Sequence, residues 1–313
     1  FSVEYFDDSV RTEVDVAAAT GLPSMALIGR LNGWGIATPR LLDESEMRSK
    51  VGEAFRALRT NLYFALRETS AKVVVVTSAN PGEGKTTTAV NLALMLACDG
   101  RRVIVVDANL RKPAVHEAFD LGHTDSGLST MLADPPIRAT KAGVPENRIG
   151  GNAPAEDIGY TGKFVLPTHI PGLSVLPGGP IPPNPSELLG SHRFEEVLKQ
   201  LRTLADIVVL DSPPVLSVVD PTLIAGRADG VILVAEAGRT RMATMSRAAK
   251  ALEHGSARIL GVVLNKLEER SSDFYIHNLI AGLKREIGKL GLSRRIASVV
   301  GDEKVIGPET NRP

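Results

Sequence analysis

Residues 78–87, SANPGEGKTT, combine a lysine, neighbouring hydroxyls and two closely spaced glycines in an arrangement suited to gripping phosphate. Gly82 and Gly84 let backbone N–H groups approach and wrap an anion, and a helix start behind them adds orphan donors and a partial positive charge. Lys85 reaches toward the outer phosphates, and Thr86 offers its hydroxyl to a magnesium ion. The pattern is G-x-x-x-x-G-K-[ST] with Ala79 where the first glycine belongs, one residue short of a full match. Two acids complete the set. The apolar run VIVVD ends in Asp107 and the run IVVLD ends in Asp211, and an acid at the carboxyl end of a buried strand faces the crevice where open α/β sheets bind ligands. Alone, Asp107 with Asn109 two residues on reads equally well as a turn, so its pairing with Asp211 carries the inference. Carboxylates that hold a metal or its waters, beside a lysine that neutralises phosphate, are what a magnesium nucleotide requires.

Such a loop needs a strand before it and a helix after it. Residues 73–76 are an unbroken apolar run, and TTAVNLALMLA places Val90, Leu94 and Ala97 on one helical face. Further strands are expected over 103–107, 173–177 and 207–211, from 231, and over 259–265. Helices are expected near 13–19, after Ser186 or Ser191 as N-cap, near 219–225 and over 240–254. Continuous apolar strands alternating with helices predict an α/β chain, a P-loop NTPase with a mostly parallel sheet covered by helices on both faces. Residues 133–172, rich in Pro, Gly, Asn and Thr, read as a long surface loop or an insertion.

Two further stretches are amphipathic. Over 44–67, Val51, Phe55, Leu58, Leu62 and Leu66 form a stripe for burial, while Glu53, Arg56 and Arg59 share another face, which spacing alone reads as solvated. Over 276–290, Ile276, Leu279, Ile280, Leu283, Ile287 and Leu290 form a stripe with Lys284, Arg285 and Lys289 elsewhere. That pattern fits a last helix packed on the sheet or a basic helix lying on a membrane surface.

Composition bounds the partners. Lys plus Arg and Asp plus Glu are 36 each, so no long-range field draws the chain to nucleic acid, and 43% apolar residues in 313 suffice for a buried core. Cys98, the one cysteine, excludes an intrachain disulfide and is expected to be a small buried residue. No apolar run approaches the roughly 18–20 residues that span a bilayer. The chain starts at Phe1 without a methionine, which reads as a processed product or a fragment.

Taken in order, ANPGEGKTT, VIVVDANLRKP and VVLDSPP resemble the bacterial tyrosine kinase family, the cytosolic ATPase part of polysaccharide co-polymerases. EAFRALR at 53–59 is similar to that family's E-x-x-R-x-x-R helix, and PIPPNPSELL and the opening EYFDDSVRTEVDVAAATGLPSMALI resemble its sequence at the same places. The resemblance implies a phosphate loop of Ala79, Pro81, Gly82, Glu83, Gly84, Lys85, Thr86 and Thr87, with Asn265 at the base of ATP. It implies a catalytic set of Lys85, Asp107 and Asp211, and magnesium held at Thr86, Asp107 and Asp211. It turns Glu53, Arg56 and Arg59 into ring-forming residues. Residues 1–43 become a membrane-proximal segment after a transmembrane helix, 44–270 the ATPase/kinase domain and 271–313 a tail.

The implied activity is ATP-dependent tyrosine autophosphorylation governing exopolysaccharide or capsule polymerisation and export, at the cytoplasmic face of a bacterial inner membrane. The implied partners are the membrane-embedded co-polymerase portion of the same chain, the export machinery and a cognate phosphatase. The alternatives are a partitioning or cell-division ATPase of the MinD/ParA kind, whose loop carries a lysine where Asn80 stands here, and a nucleotide-binding scaffold without kinase activity. Two positions depart from the family. Asn109 replaces a second acid after the second strand, and in place of a tyrosine cluster the tail holds only Tyr275, leaving Tyr275 or Tyr160 as acceptor.

Overall fold

The computed structural model describes residues 8–31, 38–66, 72–122, 124–133 and 159–268. Phe1, Tyr275, the stripe over 276–290 and most of the 133–172 stretch lie outside them. The strands are β1 (Ser24–Gly29), β2 (Val73–Ser78), β3 (Val103–Asp107), β4 (Leu166–Pro167), β5 (Leu173–Leu176), β6 (Ile207–Asp211), β7 (Gly230–Glu236) and β8 (Ile259–Leu267). They form one sheet in the order β1-β8-β7-β2-β6-β3-β5-β4, parallel throughout except for β4 against β5.

The helices are α1 (Glu13–Thr20), α2 (Glu44–Met47), α3 (Lys50–Leu66), α4 (Lys85–Cys98), α5 (Leu128–Ala133), α6 (Gly159–Gly162), α7 (Pro185–Gly190), α8 (His192–Leu204), α9 (Asp220–Ala225) and α10 (Met242–His254). α4 packs on β2, β3 and β6 and meets α3, which packs on β1; α8, α9 and α10 pack on β6, β2 and β8. Every residue of β2, β6 and β7 is buried, so these strands are covered on both faces by the two helix layers. Their unbroken Val, Ile and Leu runs follow from that double coverage. With β2 at the centre, the loop after it opens at the carboxyl edge, between β7 and β6.

β1 is an element with no strand signal ahead of it, because SMALIG is short and becomes apolar-in only once α3 covers it. It pairs in parallel with β8, and Val10 exchanges backbone hydrogen bonds with residues 238–240: its N–H donates to the Thr240 carbonyl at 2.8 Å and its carbonyl accepts from Gly238 at 2.9 Å. A boundary at residue 43 therefore cuts through this sheet.

The stretch over 44–67 is two helices, and its apolar stripe lies wholly on the second. Asp43 and Glu46 form a reciprocal capping box that starts α2, and the chain turns at Arg48 before α3 begins. Phe55, Leu58, Leu62 and Leu66 are buried as the spacing requires. Gly52 is required by the turn: a Cβ there would press into the Met47 carbonyl oxygen, an atom of the backbone that cannot step aside cheaply. Cys98 departs from expectation. As the last residue of α4 it is exposed, beyond the buried run that ends at Ala97.

Gly52→Ala is expected to lower stability by about 1–3 kcal/mol as α2 is forced off α3. Urea unfolding measures it, and a midpoint equal to wild type would show that the turn has slack.

Candidate active site

Two glycines in the left-handed region shape the loop after β2, Gly82 at φ 83° and Gly84 at φ 93°, and α4 begins at Lys85. The Ser78 hydroxyl donates to the Asn80 carbonyl at 2.8 Å, closing the turn from below. Ala79, in place of the first glycine, is fully buried, so its methyl packs into the core rather than lining the cradle. Pro81 and Gly82 are exposed at the loop tip, while Gly84, Lys85 and Thr87 are half-buried.

Thr86 and Lys85 meet the second acid directly. The Thr86 hydroxyl donates to Asp211 Oδ2 at 2.7 Å, and Lys85 Nζ donates to Thr86 Oγ1 at 3.1 Å and stands 4.0 Å from Asp211 Oδ1. Asp211 Oδ1 is buried and accepts no hydrogen bond. Asp107 sits opposite Asp211 in the β3–β6 register, and both carboxylates are fully buried. Asp107 is held by backbone alone: Oδ2 accepts from the N–H groups of Ala114 and Val115 at 2.7 and 2.9 Å, and Oδ1 from that of Asn109 at 3.2 Å.

Burial first, and then the neighbouring Asp211 charge, push the Asp107 carboxyl up to about 7, against the pull of its three N–H donors. Burial also raises Asp211, opposed by the Lys85 ammonium and the Thr86 hydroxyl. A buried orphan oxygen beside a hydroxyl and a second carboxylate is an all-oxygen donor set that suits magnesium. Two acids and one hydroxyl are too few to fill six positions, so phosphate oxygens and water would supply the rest.

Other expected residues turn elsewhere. Asn109 sends its amide to the Lys112 carbonyl at 3.0 Å, away from the acids. Glu83 points inward, where its carboxylate accepts from the Asn80 N–H and side-chain amide, both at 2.9 Å, and from the Thr240 hydroxyl at 2.6 Å; burial raises its carboxyl. Asn80, where MinD/ParA-type loops carry a lysine, is thereby committed to bracing the loop. Asn265 is buried and donates to the Glu83 carbonyl at 3.0 Å. Ser191 caps α8, accepting from Phe194, but Ser186 caps nothing: its hydroxyl joins Arg111 on the buried Asp220. On α3, Arg56 pairs with Glu53 and donates to the Met47 carbonyl at 2.6 Å, while Arg59 pairs with Asp99 at 3.3 Å.

Residues 74–304 match the model of the CobQ/CobB/MinD/ParA nucleotide binding domain. The tyrosine-protein kinase YwqD of Bacillus subtilis is 36% identical over 233 residues, covering 74% of this chain and 88% of that protein. The chain belongs to the bacterial tyrosine kinase family. Another relative, the tyrosine-protein kinase wzc of Salmonella typhimurium, is 29% identical over 222 residues, 71% of this chain but 28% of that protein. Among solved structures, the kinase domain of the Escherichia coli tyrosine kinase ETK superposes with a TM-score of 0.67 at 27% identity, covering 83% of this chain and 96% of that one.

For this family member, the nucleotide-binding fold agrees with the reading of the sequence, and the structure brings Lys85, Thr86 and Asp211 together with Asp107 opposite Asp211 on the next strand. Three residues escaped it: Glu236, Thr240 and Lys266, all of which touch the phosphate loop or its braces. Lys266 and Glu236 had a signal, their places at the carboxyl ends of β8 and β7, and Thr240 had none. Among the described residues, no helix is long and apolar enough to cross a membrane.

The raised Asp107 carboxyl sets a sign for stability. Between about pH 4, where an unfolded aspartate releases its proton, and about pH 7, the ligand-free native state holds more protons than the unfolded chain, so stability falls as pH rises. Asp211→Asn is expected to make that slope shallower without abolishing it, because burial is the larger cause. Urea midpoints across the window check this, and an equally steep slope in the variant would contradict it.

Proposed function

We propose that this chain is an ATP-dependent protein-tyrosine kinase that phosphorylates copies of itself and so regulates exopolysaccharide or capsule polymerisation and export. The observation that carries the reading is the contact of Thr86 with Asp211, with an orphaned Asp211 oxygen beside Lys85. Membership of a family whose relatives are named tyrosine-protein kinases supports the choice of phenol as acceptor.

Lys85 and the loop N–H groups would hold the β- and γ-phosphates, and Thr86 and Asp211 would hold magnesium. The metal would supply charge neutralisation as the bond between the γ-phosphorus and the bridging oxygen breaks. Asp107 is the candidate base for the proton of a tyrosine hydroxyl, and its raised carboxyl would fall toward the ionised form that a base requires once magnesium sits at the neighbouring Asp211. Tyr275 and Tyr160 are the candidate acceptors. Asn109 offers no second base, because a carboxamide does not take up a proton near neutral pH, and its N–H group is given to the Lys112 carbonyl.

The remainder of the reading concerns place and assembly. Residues 44–270 carry the kinase domain together with β1 of the 1–43 segment, which leads from the membrane and adds a strand to the sheet, and 271–313 are the tail. The chain works at the cytoplasmic face of the inner membrane, joined to a co-polymerase portion, with the export machinery as partner and a phosphatase as its opponent. Copies form a ring through Glu53, Arg56 and Arg59; what supports this is that the Glu53–Arg56 pair is half-exposed and fixed by the Met47 carbonyl, so the face is ordered in advance.

Mass spectrometry after incubation with magnesium ATP is expected to find phosphotyrosine, and Lys85→Met to reduce its rate of formation about a hundredfold or more. No phosphotyrosine in wild type, or an unaffected Lys85→Met, would refute the kinase reading. Joint replacement of Arg56 and Arg59 by alanine is expected to shift the protein to monomers in sedimentation; assembly unchanged by it would move the interface elsewhere.

A further inference from the structure

We propose that Asn265 and Lys266 are positioning residues for the phosphates, acting through the backbone of the loop. The inference rests on the nucleotide reading above and assigns this pair a role in that same site.

The two residues lie near the carboxyl end of β8 and take hold of consecutive loop carbonyls. Asn265 Nδ2 donates to the Glu83 carbonyl at 3.0 Å, and Lys266 Nζ donates to the Gly82 carbonyl at 2.6 Å. Both peptide bonds are trans, and in a trans peptide the C=O of one residue runs opposite to the N–H of the next. Drawing these two oxygens toward β8 therefore turns the N–H groups of Glu83 and Gly84 away from it. In the order β8-β7-β2-β6, away from β8 is toward β6, the side on which Lys85, Thr86 and Asp211 converge. Consecutive N–H groups aimed into a concavity are what binds an anion there.

The pair is committed to this task. Asn265 is 1% exposed, and its Oδ1 accepts from the Lys266 N–H at 2.9 Å, so both ends of its amide are engaged within the chain. Lys266 has φ 60°, one of three non-glycine residues in the left-handed region among those described. A lysine holds that unfavourable conformation only where its surroundings fix it. Here its ammonium is fixed twice, at the Gly82 carbonyl and at Glu236 Oε2, 3.0 Å away. Glu236 is itself buried and its backbone N–H donates to Thr240 Oγ1, the hydroxyl that bonds Glu83. The loop is thus gripped from the β7–β8 side at two carbonyls and one carboxylate, leaving its opposite face to the ligand.

Calorimetric titration of the full chain with magnesium ATP and with magnesium tripolyphosphate, which lacks a base, separates phosphate positioning from base contact. Asn265→Ala and Lys266→Gly are each expected to weaken tripolyphosphate about tenfold, the worth of a lost anchor on the loop, and Lys266→Gly to weaken ATP by the same factor. Lys266→Gly relieves the left-handed strain but leaves the buried Glu236 carboxylate without its ammonium, so its ligand-free melting temperature is expected to fall, and affinities are read well below it. In a kinase assay the KM for ATP should rise with kcat nearly unchanged, which a merely structural defect would not produce. Loss of ATP affinity in Asn265→Ala with tripolyphosphate binding intact would overturn the proposal in favour of base contact. Unchanged affinities in Lys266→Gly would overturn it also, and that variant decides alone if Asn265→Ala fails to fold. Wild type that bound ATP but no tripolyphosphate would overturn the inference while sparing the nucleotide reading; wild type that bound neither would remove both.

Discussion

Two carboxylates buried at the same level on adjacent strands repel one another and forfeit hydration, and the architecture around Asp107 and Asp211 is arranged to tolerate that. Asp107 is supported by three backbone N–H groups, Asp211 by a hydroxyl and a nearby ammonium. One oxygen is left without a partner. Such a pair is costly in a resting protein and becomes favourable when positive charge arrives, so the site is most at ease when loaded. The central position of β2 follows from the same constraint, since it lets a lysine and a hydroxyl from α4 lean across onto β6.

Much of this was legible in the residues. Val73 to Val76, Val103 to Val106 and Ile207 to Leu210 announce fully covered strands, and the acids that end the latter two announce the crevice. The loop could be read because its chemistry is local: glycines, lysine and threonine lie within a few positions of one another. The braces could not. Glu83 meets Thr240 from 157 residues away and Lys266 meets Gly82 from 184, separations over which a place at a strand end does not say what a side chain will bond. Side-chain direction was equally hidden: Glu83 lies within the loop yet turns from the ligand side, and Asn109 lies in an acidic motif yet bonds Lys112.

β1 illustrates a different limit. Its residues carry no alternation and no long apolar run, and their burial is created by α3, which follows them in sequence. The same is true of residues 8–10, which gain meaning only from the hydrogen bonds they exchange with the segment holding Thr240. Through that segment the start of the described chain is two bonds from Glu83, so the phosphate loop and the N-terminal stretch share one rigid neighbourhood.

At the far border of the sheet, β4 is two residues long, runs against the rest and includes Pro167, which has no N–H to offer. A border so brief gives an incoming strand almost nothing to zip onto, which guards a sheet rich in valine against edge-to-edge stacking. Crowding copies of the chain at high local density therefore carries little hazard of fibrous association from this side.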